Sequence, residues 1–367
     1  MLALMAPGPA SAADTVVAHV QRPTAIRDYA GIQVFSAFEG TLLEGGTYHL
    51  AILRQGKVEL LPVAPSQAPF AADIGTDRNG RPQLVYMRCT GRDPGTGRNL
   101  GCDLFTLSLA SGAGEQPVSA ANTSRNEIAP TLWSGRIAFA RQSQDGSRAV
   151  VYTRKLTDPP ARRSKRLPGI PFGRRFAGIP GKRIRSGEVA ELELYRDRLA
   201  QIVNYPFTSE VRVVRISSHR TRPLARVGVG EGGQYFAGIG FAQGYLAWAR
   251  GGELAGIYRH RFSTGELSRA AFPRVVDFLV IGLAPFTPTG AYMVDWQPGS
   301  ADGCGGEDEA VPPAVLPLVR PCQVIRSEHL KFRPFRRARR AQTAAISRTW
   351  VSRMLLPDGS RNDESIP

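Results

Sequence analysis

Short segments in which apolar and polar positions alternate recur along the chain, each bounded by Gly, Asp, Asn or Ser turn residues. The stretch from Asn126 to Leu156 displays the unit most clearly. Ile128 to Trp133 is extended, Ser134-Gly135 turns the chain, Arg136 to Arg141 alternates as a strand, and after Asp145-Gly146 Arg148 to Leu156 alternates again. Comparable units run from Ile26 to Ala64, from Ala71, from near Glu188, from Gln234 and from Val275, the last including CQVIRSEHL and KFRP. Their second strands begin near Gln83, Arg136, Leu199, Tyr245 and Ala291, roughly 45 to 65 residues apart, which is the blade period of a β-propeller.

This pattern predicts an all-β, single-domain, six-bladed β-propeller over residues 14–340, with blades of about four antiparallel strands. A β-sandwich needs about seven to nine strands, so the larger number of segments here would require two sandwiches and a clear linker. Near-continuous apolar runs such as VVDFLVIGL suit strands covered on both faces, whereas RTRPLARV and KVELLPV suit blade rims. An open ring leaves two unpaired edges, so either an N-terminal segment such as Thr15 to Val20 or a tail strand within Ile346 to Leu356 is expected to close it. Thr157 to Gly187 is rich in Pro, Gly and Arg and reads as a basic crossover insertion, not a central strand or helix.

At 367 residues and 42% hydrophobic content, the chain has ample material for a core. The net charge of +16 would point to an anionic partner, but Lys occurs only at Lys57, Lys155, Lys165, Lys182 and Lys331. Such an Arg bias also follows from a GC-rich genome, which weakens bulk charge as a pointer, and no nucleic acid is expected. Residues 1–13 carry a short apolar run and Ala10-Ser11-Ala12, read either as a signal-peptide remnant lacking its positive n-region or as a flexible terminus. The best apolar run, Val275 to Leu283, contains Asp277 and falls well short of the roughly 18 residues of a membrane span. Residues 341–367 form a tail, a closing strand or a disordered end.

The phrase APTLWSGRIAFAR resembles the TolB-like propeller repeat at Pro130, Trp133, Ser134, Gly135, Ile137, Ala138 and Phe139. The segment DLFTLSLASGAGEQPVSAA, from Asp103, resembles the next pair of strands in that repeat. The Pro-Asp that the family places before the turn glycine is absent before Gly135, and the last three units keep only the rhythm. The resemblance implies a secreted six-bladed propeller with protein partners in the cell envelope. It carries blade structure and transfers no catalytic residue.

Four cysteines fall into two local pairs at corresponding places in units two and six. Adjacent antiparallel strands would bring Cys89 to Cys102 and Cys304 to Cys322, and such bridges imply an oxidising compartment, hence a secreted or envelope location. Neither pair has zinc-ligand spacing. His19, His49, His219, His260 and His329 lie in different units without metal or triad context. Gly228 to Gly233 matches G-x-G-x-x-G, but a strand follows it where a phosphate cradle needs a helix. SQDGS at Ser143 to Ser147 lacks the spacing of an Asp-box and reads as a hairpin turn.

One constellation carries chemistry. Asp28, Asp73, Glu127, Glu188 or Glu191, and Asp277 stand near the starts of inner strands, which in a propeller converge on the channel mouth. Either they cap turns and accept backbone N–H groups, or they form a ring whose mutual repulsion favours a bound Ca²⁺ or a basic segment. The basic crossover offers Arg162, Arg163, Arg174, Arg175, Arg183 and Arg185 on the same face as the acidic loop Asp302 to Glu309, as a docked lid or a solvated loop. The expected function is that of a non-catalytic exported binding or scaffold protein, whose channel-mouth face takes an envelope protein or an anionic polymer. The competing class is a secreted hydrolase or lyase, which needs two solvent-open carboxylates about 5 to 10 Å apart.

Overall fold

Turn chemistry sets the hairpins. Ser134 and Gly135, at φ of 47° and 69°, form the tight connection whose backbone twist matches antiparallel strands, and Ala30-Gly31 repeats it at 52° and 80°. Strands so connected build six antiparallel sheets, each starting at the centre with an inner strand and stepping outward. The inner strands are Arg27–Tyr29, Ala71–Thr76, Asn126–Trp133, Glu188–Tyr195, Phe236–Ala242 and Leu279–Pro285. This is the six-bladed β-propeller that the strand rhythm predicts. The computed structural model describes residues 14–20, 24–41, 45–92, 99–110, 112, 114–143, 149–168, 187–205, 208–228, 235–252, 254–273, 279–296 and 322–335. Among them there is no helix long and apolar enough to cross a membrane.

Six hydrophobic clusters lie between neighbouring blades, and the sixth returns from blade six to blade one through Val294, Val324, Ile26 and Phe35. The core is therefore annular. Each fully buried aliphatic side chain, such as Ile52, Leu84 or Leu104, contributes about 1.5–3 kcal/mol. Blades approach so closely that a Cβ on Gly75 would sit 2.4 Å from the Leu132 carbonyl oxygen, so glycine is required there.

The N-terminal strand Thr15–Val20 pairs with Cys322–Ser327 and becomes the outermost strand of blade six, closing the ring. The KFRP segment belongs elsewhere than in unit six. Arg333–Pro334 pairs with Ser268 and Arg269 as a fifth strand of blade five, because the N-terminal strand already occupies the blade-six edge. In the crossover, Lys165–Arg166 forms the outer strand of blade three and Leu167 is buried against the next blade. Cys89 and Cys102 face each other on adjacent strands of blade two, with Cα atoms 3.9 Å apart, and form the expected disulfide. The Cys304–Cys322 pairing, the leader and the tail strand fall outside the described residues or side chains.

Candidate functional site

The channel interior is built from inner-strand side chains. Four inner strands carry a register shift, between Ile128 and Thr131, Val189 and Glu191, Ala237 and Ile239, and Val280 and Gly282. Such bulges re-aim side chains and free backbone N–H groups from the ladder. Glu191 uses the blade-five bulge, accepting from Gly238 N at 2.7 Å and Ile239 N at 3.1 Å. Asp73 accepts from Thr131 Oγ1 at 2.6 Å and Leu132 N at 2.7 Å, and the Thr131 hydroxyl oxygen accepts from Leu194 N at 2.9 Å. Blades two to five are thus stitched together through polar contacts at the axis.

Arg27 crosses that axis. Its Nη2 donates to Glu191 Oε2 at 3.0 Å, and its Nε lies 3.3 Å from Glu193 Oε2 without hydrogen-bond alignment. The side chains are 7% exposed for Arg27, 13% for Glu191 and 16% for Glu193. Burial works against the Arg27 charge, but Glu191, Glu193 and Asp73 outweigh it and hold the guanidinium more firmly protonated than usual. Burial pushes the Asp73 carboxyl up, against the opposing pull of Arg27 and three hydrogen bonds. Glu193 is pushed well above the ordinary carboxyl range by burial and then by the Asp73 charge, with Arg27 only partly compensating.

A second feature lies where the inner strands end. A cavity of about 520 Å³ is lined by Arg78 from blade two, by Trp133, Ser134, Gly135, Arg136, Lys155 and Thr157 from blade three, and by Arg196 and Asp197 from blade four. The Trp133 and Tyr195 rings are 4.4 Å apart, Tyr29 meets Trp133 edge-on at 6.5 Å, and Tyr195 stacks on Phe241 at 5.4 Å. Of these half-buried rings Trp133 lines the cavity, and the others pack in a chain against it. Asp197, the lone acid of the lining, accepts from Ser217 N at 2.9 Å and Ser217 Oγ at 2.5 Å.

No family model matches the sequence, and no curated protein does. Among solved structures, TolB from Acinetobacter baumannii is similar at 13% identity and a TM-score of 0.48, over 83% of this chain and 66% of that one. A chain of the nidogen/laminin complex is similar at 11% identity and TM-score 0.44, over 72% of this chain and 86% of that one. The PQQ-bound aldose sugar dehydrogenase from Streptomyces coelicolor is similar at 13% identity and TM-score 0.43, over 87% and 99%. In fold, the chain is a six-bladed β-propeller. At such identities nothing beyond the fold follows.

The propeller brings together only part of the predicted carboxylate set. Asp73 and Glu191 meet at the axis, joined by Glu193, which the sequence pattern did not single out. Glu127 is fully buried but turns to its own blade, accepting from Arg141 Nε at 2.7 Å and Thr123 Oγ1 at 2.8 Å. Asp28 accepts from Gln33 Nε2 at 2.5 Å, and burial raises its carboxyl to about 6. Glu188 is exposed, and Asp277 lies outside the described residues. Among the described residues no group of three or more His, Cys, Asp or Glu is arranged to hold a metal ion. Of the basic crossover, Arg162 is exposed and pairs with Asp158 at 3.1 Å, and Arg163 is exposed; Arg174, Arg175, Arg183 and Arg185, like the acidic loop Asp302 to Glu309, lie outside the described residues. Sequence reasoning missed the cationic cavity on the hairpin face, although its signal was present: Trp133 precedes the Ser134-Gly135 turn, and Arg78, Arg136 and Arg196 stand in or beside the hairpin turns.

Proposed function

We propose that the chain is an exported, non-catalytic binding protein of the cell envelope that takes an anionic polymer or an acidic protein surface on one face of its propeller. One observation carries this reading: of the carboxylates expected at the channel mouth, Asp73 and Glu191 are engaged in holding the blades. Asp73 and Glu191 each accept at least two hydrogen bonds from neighbouring blades, and Arg27 lies against Glu191 and Glu193. A hydrolase or lyase needs a general acid and base that reach substrate through solvent, and carboxylates so engaged are poorly placed for it. A Ca²⁺ ion at the axis would compete with Arg27 for the same oxygens. Export is supported by the Cys89–Cys102 bridge, since such bonds persist in oxidising compartments.

The test is retention of the full-length protein on an immobilised polyanion such as heparin at low ionic strength, with elution by salt. Retention lost by roughly 0.5 M salt agrees with a charge-driven site, since screening is then strong. Passage without retention at low salt overturns the reading.

A further inference from the structure

We propose that the hairpin-face cavity binds an acidic sugar ring of an anionic glycan, with Trp133 stacking on the ring and Arg136 and Arg196 holding its carboxylate. This rests on the binding-protein reading above and deepens it.

The cavity gathers Arg78, Arg136, Lys155 and Arg196, and among the described residues none of them has a carboxylate ion-pair partner. Asp197, the one acid of the lining, is held by two hydrogen bonds from Ser217, so four cations stand against one carboxylate. Guanidinium groups match the planar geometry of carboxylate oxygens and keep their charge at any physiological pH. The volume, about 520 Å³, falls in the usual range of about 300–1,000 Å³ for small-ligand sites.

Charge alone would suit many anions, and Trp133 narrows the choice. Trp133 packs against the tilted Tyr195 ring and makes a T-shaped contact with Tyr29, and these contacts restrain the indole that lines the cavity. A pyranose uronate presents an apolar C–H face and a carboxylate on one ring, which meets both features of the cavity. An extended acidic peptide would gain most by adding to a free sheet edge, but the lining comes from hairpin ends whose backbone is already used. Gly135 N donates to the Thr76 carbonyl at 2.7 Å, and Leu156 N donates to the Gly135 carbonyl at 2.8 Å. A single strand of nucleic acid favours successive stacking platforms along a groove, whereas Tyr195 and Phe241 here stack on each other.

The test is calorimetric titration of the full-length protein with oligogalacturonate, against neutral maltooligosaccharide, poly-L-glutamate and single-stranded DNA, with tryptophan fluorescence read in parallel. Oligogalacturonate should bind and quench the fluorescence, and maltooligosaccharide should not bind. Arg136→Gln with Arg196→Gln should weaken binding about tenfold or more, as expected for lost charge-assisted bonds. Arg196 is exposed and Arg136 half-buried, and neither has a carboxylate partner to lose among the described residues, so the fold should survive. Trp133→Phe should weaken binding less than Trp133→Val, with circular dichroism reporting the fold of each. Polyanion retention that persists while oligogalacturonate binding ignores Arg136→Gln and Arg196→Gln overturns this site and leaves the binding-protein reading standing. Failure to bind any polyanion overturns both. Poly-L-glutamate or DNA binding as tightly as oligogalacturonate, with the same dependence on Arg136 and Arg196, overturns the acidic sugar as the preferred ligand.

Discussion

Arg27 and Glu191 meet across the propeller axis at 3.0 Å, although 164 residues separate them in sequence. The pair ties the first blade to the fourth, directly across the ring. Arg27 is the axial cation among Asp73, Glu191 and Glu193, so its removal strands buried negative charge. Arg27→Gln should destabilise the protein by about 3–5 kcal/mol, as for other broken buried pairs. Urea unfolding at neutral pH measures this, and a loss below about 1 kcal/mol would mean that the axial cluster is hydrated and weak.

Glu193 gives a pH dependence of defined sign. Its carboxyl is raised in the folded state, so between the unfolded-chain value and the folded value the native protein holds a proton that the unfolded chain has lost. Stability from this group is present at low pH and is lost as pH rises through that window. Glu193→Gln mimics the protonated form. It should melt at a higher temperature than the wild type at pH 8, with the gap closing toward pH 4. A gap that widens on acidification would reverse the assignment.

Thr131 serves two blades with one hydroxyl, donating to Asp73 and accepting from Leu194 N. Thr131→Val keeps the shape and leaves a buried carboxylate and a buried N–H each short of a partner. The cost should be about 1–3 kcal/mol or more, and Thr131→Ser should recover most of it. Equal melting temperatures for the Val and Ser variants would contradict this role.

Blade rhythm was legible because turns such as Ser134-Gly135 and strands such as Arg136 to Arg141 declare themselves locally. Edge strands did not. Thr15–Val20 was one of two candidates for closing the ring, and Arg333–Pro334 was assigned to the wrong blade, because an outer strand is chosen by a partner distant in sequence. Asp73 and Glu191 were visible as acids near inner-strand starts, but Arg27 was one arginine among dozens, and only the closed ring places it opposite Glu191. Glu127 carries the same sequence signal as Asp73, yet Arg141 claims it within its own blade, while Asp28 accepts from Gln33 of its own blade and its charge still reaches Glu193.

Gly238 combines a left-handed backbone, φ +56°, with a position where a Cβ would lie 2.2 Å from Leu283 N. Its N–H also anchors Glu191. Gly238→Ala should therefore cost more than Gly265→Ala, where φ is +74° but no atom stands within 4 Å of the new Cβ. The turn variant should lose only the left-handed strain, about 1–2 kcal/mol. Thermal denaturation of the two variants side by side decides the matter, and equal losses would remove the packing argument.

The charges divide in two: axial carboxylates hold the blades, and hairpin-face cations bind the partner. One salt-dependent titration of heparin against Asp73→Asn, Glu191→Gln, Arg136→Gln and Arg196→Gln tests it, with melting temperatures taken on the same samples. The two carboxylate variants should melt earlier but keep wild-type affinity, while the two arginine variants should keep the melting temperature and lose affinity. Carboxylate variants that lose binding while remaining as stable as the wild type would contradict it and return the function to the channel.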